Sequence, residues 1–239
     1  MKELAFSSFW YWMLIMAIAC YFCGCFNFAI LISRFKHKDI RGVGSGNPGT
    51  MNMFREFGFG IGLITFLSDV LKGGIPAVIS YFIFRNYVFA GTNILVSDFT
   101  RYFCGLFVII GHIFPVTLKF KGGKGIASTF GLFLLCLSCE AWWFFFVGVA
   151  LIVAIAAYIL KIHWGSMGSL MGVTLFSSWQ AIIFYLRYGD CLQNVWVISM
   201  FLLLLALNLF TWIAHHGNIV RLLTGEERLT GGKKKKKAV

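Results

Sequence analysis

Apolar residues run in long unbroken stretches separated by short polar segments, and stretches of this length predict helices rather than strands. Residues 4–33 carry no charge over 30 positions. That exceeds the roughly 20 residues with which a helix crosses a hydrocarbon core. A second run, 57–84, is interrupted only by Asp69 and Lys72, which fall on one helical face and can pair within the membrane. An outer loop at 85–101 leads to a third run, 102–118, with His112 and Pro115 near its inner end. From 126 to 160 Glu140 is the only charge, too long a stretch for one span and short for two. It reads as helices 126–139 and 141–160 joined by a tight hairpin at Ser138, Cys139 and Glu140, the first helix being short. Runs at 164–186 and 191–214 complete the set. The pattern predicts an all-α integral membrane protein with seven transmembrane helices. It forms one polytopic domain over 1–239, with a basic tail from about 228.

Composition agrees: 59% of the residues are hydrophobic and only 13% charged, too apolar for a soluble domain of 239 residues. Twenty-one basic residues against 9 acidic ones give a net charge of +12, gathered between the apolar runs and in lysines 233–237. Such a distribution suits anionic lipid headgroups and anionic substrates; no nucleic-acid recognition motif accompanies it. Only Lys2 precedes the first run, whereas Arg34, Lys36, Lys38 and Arg41 follow it. The positive-inside rule then sets the N-terminus outside, and seven crossings bring the C-terminus into the cytoplasm. Cysteines 20, 23 and 25 form a CxxCxC without a nearby histidine or carboxylate. They read as small hydrophobes within a span, so neither a metal nor a disulfide is expected.

Three polar segments carry candidate chemistry. Residues 39–55 read DIRGVGSGNPGTMNMFR, where Gly44, Gly46 and Gly49 let the backbone expose N–H groups to an anion. Ser45, Asn47 and Asn52 add neutral hydrogen-bonding groups, and Arg55 adds fixed positive charge. A plain membrane-edge loop is the alternative. Residues 119–125, KFKGGKG, set Lys121 and Lys124 around Gly122 and Gly123 as a second cationic, glycine-rich segment, though not a Walker loop. The last run delivers His215, Asn218 and Arg221. Asp69 and Lys72 read either as a structural pair or as a pair whose lysine also faces substrate. Two spans separate the first segment from the second, and four separate the second from the third. All three therefore reach the same, cytoplasmic, side, where they can hold two phosphates at once. A transporter of phosphorylated metabolites would use similar features. A lipid phosphotransferase would need an acidic cluster for Mg²⁺, which is missing.

The motifs GSGNPG at 44–49 with Asn52 and Arg55, DVLKG at 69–73, GHIFP at 111–115 with FKGGKG at 120–125, and His215-x-x-Asn218 with Arg221, Gly225 and Glu227 resemble, in order and spacing, the bacterial acyl-phosphate-dependent glycerol-3-phosphate acyltransferases. The resemblance implies a seven-helix enzyme of the bacterial inner membrane, with its active site on the cytoplasmic side. The enzyme would transfer an acyl group from acyl phosphate to the 1-hydroxyl of glycerol 3-phosphate in phospholipid synthesis. Neither a cofactor nor an obligate protein partner is implied. Ser45, Lys124, His215 and Asn218 would do the chemistry. Gly44, Gly46, Asn47, Gly49, Asn52, Arg55, Lys72, Lys121, Gly122, Gly123 and Arg221 would hold phosphates and substrate, with Asp69, His112 and Glu227 in support. The family usually reads GATN where this chain has Gly49, Thr50, Met51 and Asn52, so the threonine hydroxyl sits one position early. An acyl phosphate already has a good leaving group, so the acceptor hydroxyl needs alignment and charge neutralisation more than a strong base. Either His215 or a substrate phosphate could take the proton.

Overall fold

The computed structural model describes residues 1–227 and 229; the tail expected from about 228, with its lysines 233–237, otherwise lies outside the described residues. Among the described residues six helical segments are long and apolar enough to cross a membrane. They are α1 (Phe6–Cys25) continued by α2 (Phe28–Phe35), then α4 (Phe59–Phe84), α5 (Val96–Ile113) with its following turn, α7 (Phe144–Ile162), α8 (Gly165–Tyr188) and α9 (Val195–Ala214). Helix α6 (Ile126–Glu140) is apolar but has only 15 residues. Two amphipathic helices, α3 (Thr50–Phe57) and α10 (His216–Leu223), carry the first and third polar segments. Strands β1 (Lys2–Leu4) and β2 (Tyr87–Phe89) pair in parallel at the other end of the bundle, Lys2 opposite Tyr87.

Helices α4, α5 and α6 form the centre, and α1 packs along α5. Glycine decides how close they come. A Cβ at Gly131 would overlap the Val70 carbonyl of α4, and one at Gly73 the Ser128 carbonyl of α6. Gly24 and Gly111 make the same reciprocal contact between α1 and α5. Backbone-to-backbone packing of this kind replaces the hydrophobic drive that lipid cannot supply between helices. The lipid-facing sides keep their apolar residues outward, as with Val153 and Leu160 of α7 and Leu202 and Leu209 of α9.

The structure departs from the sequence reading in two places that matter. The first apolar run is not one helix: α1 stops at Cys25, and Asn27 caps a separate α2 by accepting from Ile30 N at 2.9 Å. Helix α5 starts at Val96, not at 102, so Asp98 and Arg101 lie inside it instead of in a loop. Both are buried because they belong to a charge-balanced cluster. Arg101 Nη2 donates to Asp98 Oδ1 at 2.7 Å, pairs with the Glu140 carboxylate, and Nη1 reaches the Cys136 carbonyl at 3.1 Å. Arg187 adds bonds of 2.6 Å to Asp98 and 2.5 Å to Glu140, while Tyr188 and Gln180 donate to the same two carboxylates. Two guanidinium groups facing two carboxylates leave no net charge to desolvate, which is how the helix tolerates them. Glu140, expected in the hairpin, is the last residue of α6 and closes this cluster, and the tight turn to α7 follows it at 141–143.

Candidate active site

At the opposite end of the bundle a line of polar and packing contacts runs from the first segment to the third. It begins at the break between α1 and α2. Asn27 Nδ2 donates to the Pro48 carbonyl at 3.1 Å, tying the break to the glycine loop. The neighbouring Phe26 carbonyl, orphaned by the end of α1, accepts from Lys72 Nζ at 2.8 Å. Lys72 also stands 2.8 Å from Asp69 Oδ1, in ion-pair rather than aligned hydrogen-bond geometry. Across Asp69, His112 Nδ1 lies 3.9 Å away, too far for a hydrogen bond. The His112 ring fills the space that a side chain at Gly123 would need. The next residue, Lys124, bonds through Nζ to Asn218 Oδ1, joining segments 94 residues apart. Asn218 Nδ2 donates to Glu227 Oε1 at 2.7 Å, which also accepts from Ser166 Oγ at 2.7 Å, while Arg221 Nε donates to Glu227 Oε2 at 3.0 Å.

Within the first segment, Asn52 organises the loop from inside. Its Oδ1 accepts from Ser45 N at 2.9 Å, and its Nδ2 donates to the carbonyls of Ile40 and Val43. Gly44 has φ +61°, and a Cβ there would strike the Asn52 side chain, so the position requires glycine twice over. Gly46 N bonds Val43 O at 3.0 Å, and Gly49 N bonds Asn47 O at 2.9 Å. The amides of Ser45, Gly46 and Gly49, expected to cradle an anion, are thus engaged within the loop. Asn47 N reaches Ser45 Oγ at 3.4 Å, and the groups that can meet a ligand there are the exposed Gly44 backbone, the half-buried side chains of Ser45 and Asn47, and the exposed Arg55. Thr50 Oγ1, one position early in the motif, is buried without a hydrogen-bond partner.

The second segment is similar. Gly122 N donates to Ile113 O at 3.0 Å and Gly123 N to His112 O at 3.1 Å, so this glycine pair folds the loop back on the end of α5 instead of offering amides to an anion. Lys121 is exposed, and Lys124 is half-buried beside the third segment. Lys72 is 7% exposed and braces the helix break.

The third segment holds two titratable groups in unusual states. Burial, reinforced by the Lys124 charge, lowers the His215 pKa to about 4. Its Nδ1 lies 2.8 Å from the Thr211 carbonyl, which can only accept, so Nδ1 carries the hydrogen and Nε2 keeps its lone pair. Burial pushes the Glu227 carboxyl up, yet hydrogen bonds from Asn218 and Ser166 and the Arg221 charge outweigh it and hold the group below its ordinary range. Glu227 is therefore an anion that fixes the Asn218 amide with its Oδ1 turned to Lys124. Ser166 escaped the sequence reading, which took its segment as packing. Gly168 and Gly172 do pack against Ile159 and Ile155, but Ser166 faces Glu227. The available signal was a hydroxyl at the polar end of a span, level with the third segment.

An expected result follows for His215. Its folded pKa lies below the ordinary value of 6.5, so between pH 6.5 and about 4 the unfolded chain binds a proton that the folded chain does not. Stability should fall as the pH is lowered through that window. Histidine NMR on the unliganded protein should show the ring neutral at pH 5.5; a midpoint near 6.5 would contradict this placement.

The chain matches the family model described as glycerol-3-phosphate acyltransferase over residues 14–225. It is 33% identical to a protein of Mycoplasmopsis pulmonis named glycerol-3-phosphate acyltransferase, over 90% of this chain and 92% of that one. A protein of the same name from Finegoldia magna is 35% identical over 92% and 97% of the two chains. The crystal structure of PlsY, an integral membrane glycerol 3-phosphate acyltransferase in its glycerol 3-phosphate form, superposes with a TM-score of 0.69 at 26% identity. That superposition covers 92% of this chain and 96% of PlsY.

Proposed function

Because the chain belongs to the glycerol-3-phosphate acyltransferase family, we propose that it transfers an acyl group from acyl phosphate to the 1-hydroxyl of glycerol 3-phosphate. The observation that carries this reading is the Lys124–Asn218 contact, anchored by Glu227. It sets an ammonium, a carboxamide and a neutral imidazole at one end of the bundle, where His112 packs between Gly123 and the Asp69–Lys72 pair that braces the Asn27 break and its Ser45 loop. In this reading Ser45, Asn47 and Arg55 receive the donor phosphate through side chains. Lys124 lies between donor and acceptor, and Asn218, His215 and Arg221 orient glycerol 3-phosphate. The acceptor oxygen attacks the acyl carbon, a carbon–oxygen ester bond forms, and the carbon–oxygen bond to phosphate breaks. The hydroxyl proton passes to His215 Nε2 or to a phosphate oxygen. An imidazole with a pKa near 4 is a weak base in the empty site. Two bound phosphates offset the Lys124 charge and move it toward its working range.

The membrane arrangement proposed with this is a single polytopic domain of seven crossings, with α6 as the short one. In support, Lys124 just before α6 meets the third polar segment, whereas Glu140 at its end meets Arg101 and Arg187 at the far end of the bundle. Seven crossings and the basic loop after the first run put the N-terminus outside and the site on the cytoplasmic face of the bacterial inner membrane.

The test is turnover by purified protein supplied with glycerol 3-phosphate and, separately, acyl phosphate, acyl-CoA or acyl carrier protein as donor. The expected result is 1-acyl-glycerol 3-phosphate and inorganic phosphate with acyl phosphate alone, and no acyl-serine at Ser45 in the mass spectrum. Product only from a thioester donor would reject the donor assignment, and an acyl-serine would reject direct transfer.

A further inference from the structure

We infer that Asn27 is a positioning residue that straps the donor loop to the break in the first helix. This rests on the reading that the loop around Ser45 receives the donor phosphate. The backbone at Asn27 leaves helical geometry, with φ −105° and ψ 105°, so α1 and α2 cannot merge there. Its one side chain does two separable jobs. The carbonyl oxygen accepts from Ile30 N at 2.9 Å, the ordinary N-cap bond of a helix start. The amide nitrogen donates to Pro48 O at 3.1 Å, and Pro48 has no amide hydrogen with which to anchor itself. Asn52 holds the Ser45 side of the loop, so Asn27 and Asn52 grip its two ends. The strap is itself braced, because the carbonyl of the preceding residue, Phe26, is held by Lys72. Motion of the helix break is thereby coupled to the position of Ser45 and Asn47, the residues assigned above to the donor phosphate.

The two jobs can be separated by substitution. Asn27→Asp retains the capping oxygen but sets a carboxylate against the Pro48 carbonyl. Asn27→Ser also caps, yet is too short to reach Pro48. Both variants of the full-length protein, purified in detergent, are compared with the unaltered chain by hydrogen exchange and steady-state kinetics. Exchange across residues 44–52 should rise about tenfold, the weight of roughly one net hydrogen bond, while that of α2 stays unchanged. The KM for acyl phosphate should rise by a similar factor, with kcat and the KM for glycerol 3-phosphate within about twofold. Unchanged loop exchange in both variants would overturn the strap. So would exchange that rises equally in α2, or loop exchange that rises with no change in donor KM. Should the unaltered protein fail to turn over acyl phosphate, the donor reading falls by itself, and the exchange comparison alone decides the strap.

Discussion

Replacing Lys124 by alanine should lower kcat/KM by about 10²- to 10³-fold, the loss typical of removing one preorganised charge contact from a developing oxyanion. The size follows from where the ammonium sits. Lys72 is buried on Phe26 and Asp69, and Arg41 is held by its neighbour Asp39 at 2.6 Å. Arg55 and Lys121 stand in solvent, where a charge is screened. Lys124 combines partial burial with contact to Asn218. Arginine should restore little, because its planar fork cannot place a compact charge where the ammonium meets Asn218. One readout separates a chemical role from a merely structural one. The Lys124 charge helps to depress His215, so the alanine variant should titrate His215 at higher pH than the unaltered protein. Unchanged kinetics, or loss of activity with no movement of the His215 midpoint, would remove Lys124 from the position argued here.

Arg101→Met is the largest stability effect expected. The side chain is fully buried, and its loss leaves the single charge of Arg187 to balance both Asp98 and Glu140. Breaking a buried charge network by removing one partner costs about 3–5 kcal/mol. Thermal unfolding in detergent should report a drop of many degrees, and neutralising one carboxylate in the same chain, as in Arg101→Met with Glu140→Gln, should recover part of it. Arg101 and His112 are eleven residues apart on α5, so roughly 16 Å of helix separates the two ends. At a temperature where the variant stays folded, both KM values should be close to those of the unaltered protein. A change in KM matching that of a site variant would mean that the two ends are coupled.

Helix existence was legible in the chain because run length decides it, and every long apolar run contains a helix. What misled was charge inside a run. Asp98 and Arg101 read as loop residues because a single residue cannot reveal that Glu140 and Arg187 arrive from other helices to neutralise them. The break at Asn27 was legible only weakly, as an N-cap residue in a stretch without proline or charge. Which polar segments gather at one end followed from counting spans. How they use their hydrogen bonds did not. The loop amides pair with Asn52, Val43 and Asn47, and the Gly122 and Gly123 amides pair with the end of α5. These contacts form only in the folded loops, and they take the amides of Ser45, Gly46, Gly49, Gly122 and Gly123 out of a ligand-facing role. Ser166 and Glu227 lie 61 residues apart, and only the folded chain shows that one fixes the other.

A structure of the protein with glycerol 3-phosphate and a non-hydrolysable acyl phosphonate bound together tests the shared clamp most directly. The expected result is the phosphonate against Ser45, Asn47 and Arg55, and the glycerol 3-phosphate phosphate near Arg221 and Asn218, with Lys124 between the two anions. A cavity of about 570 Å³, lined by Gly91, Arg187, Tyr188 and Asn194, lies at the other end of the bundle. Finding either anion there, with Lys124 and Ser45 untouched, would contradict it.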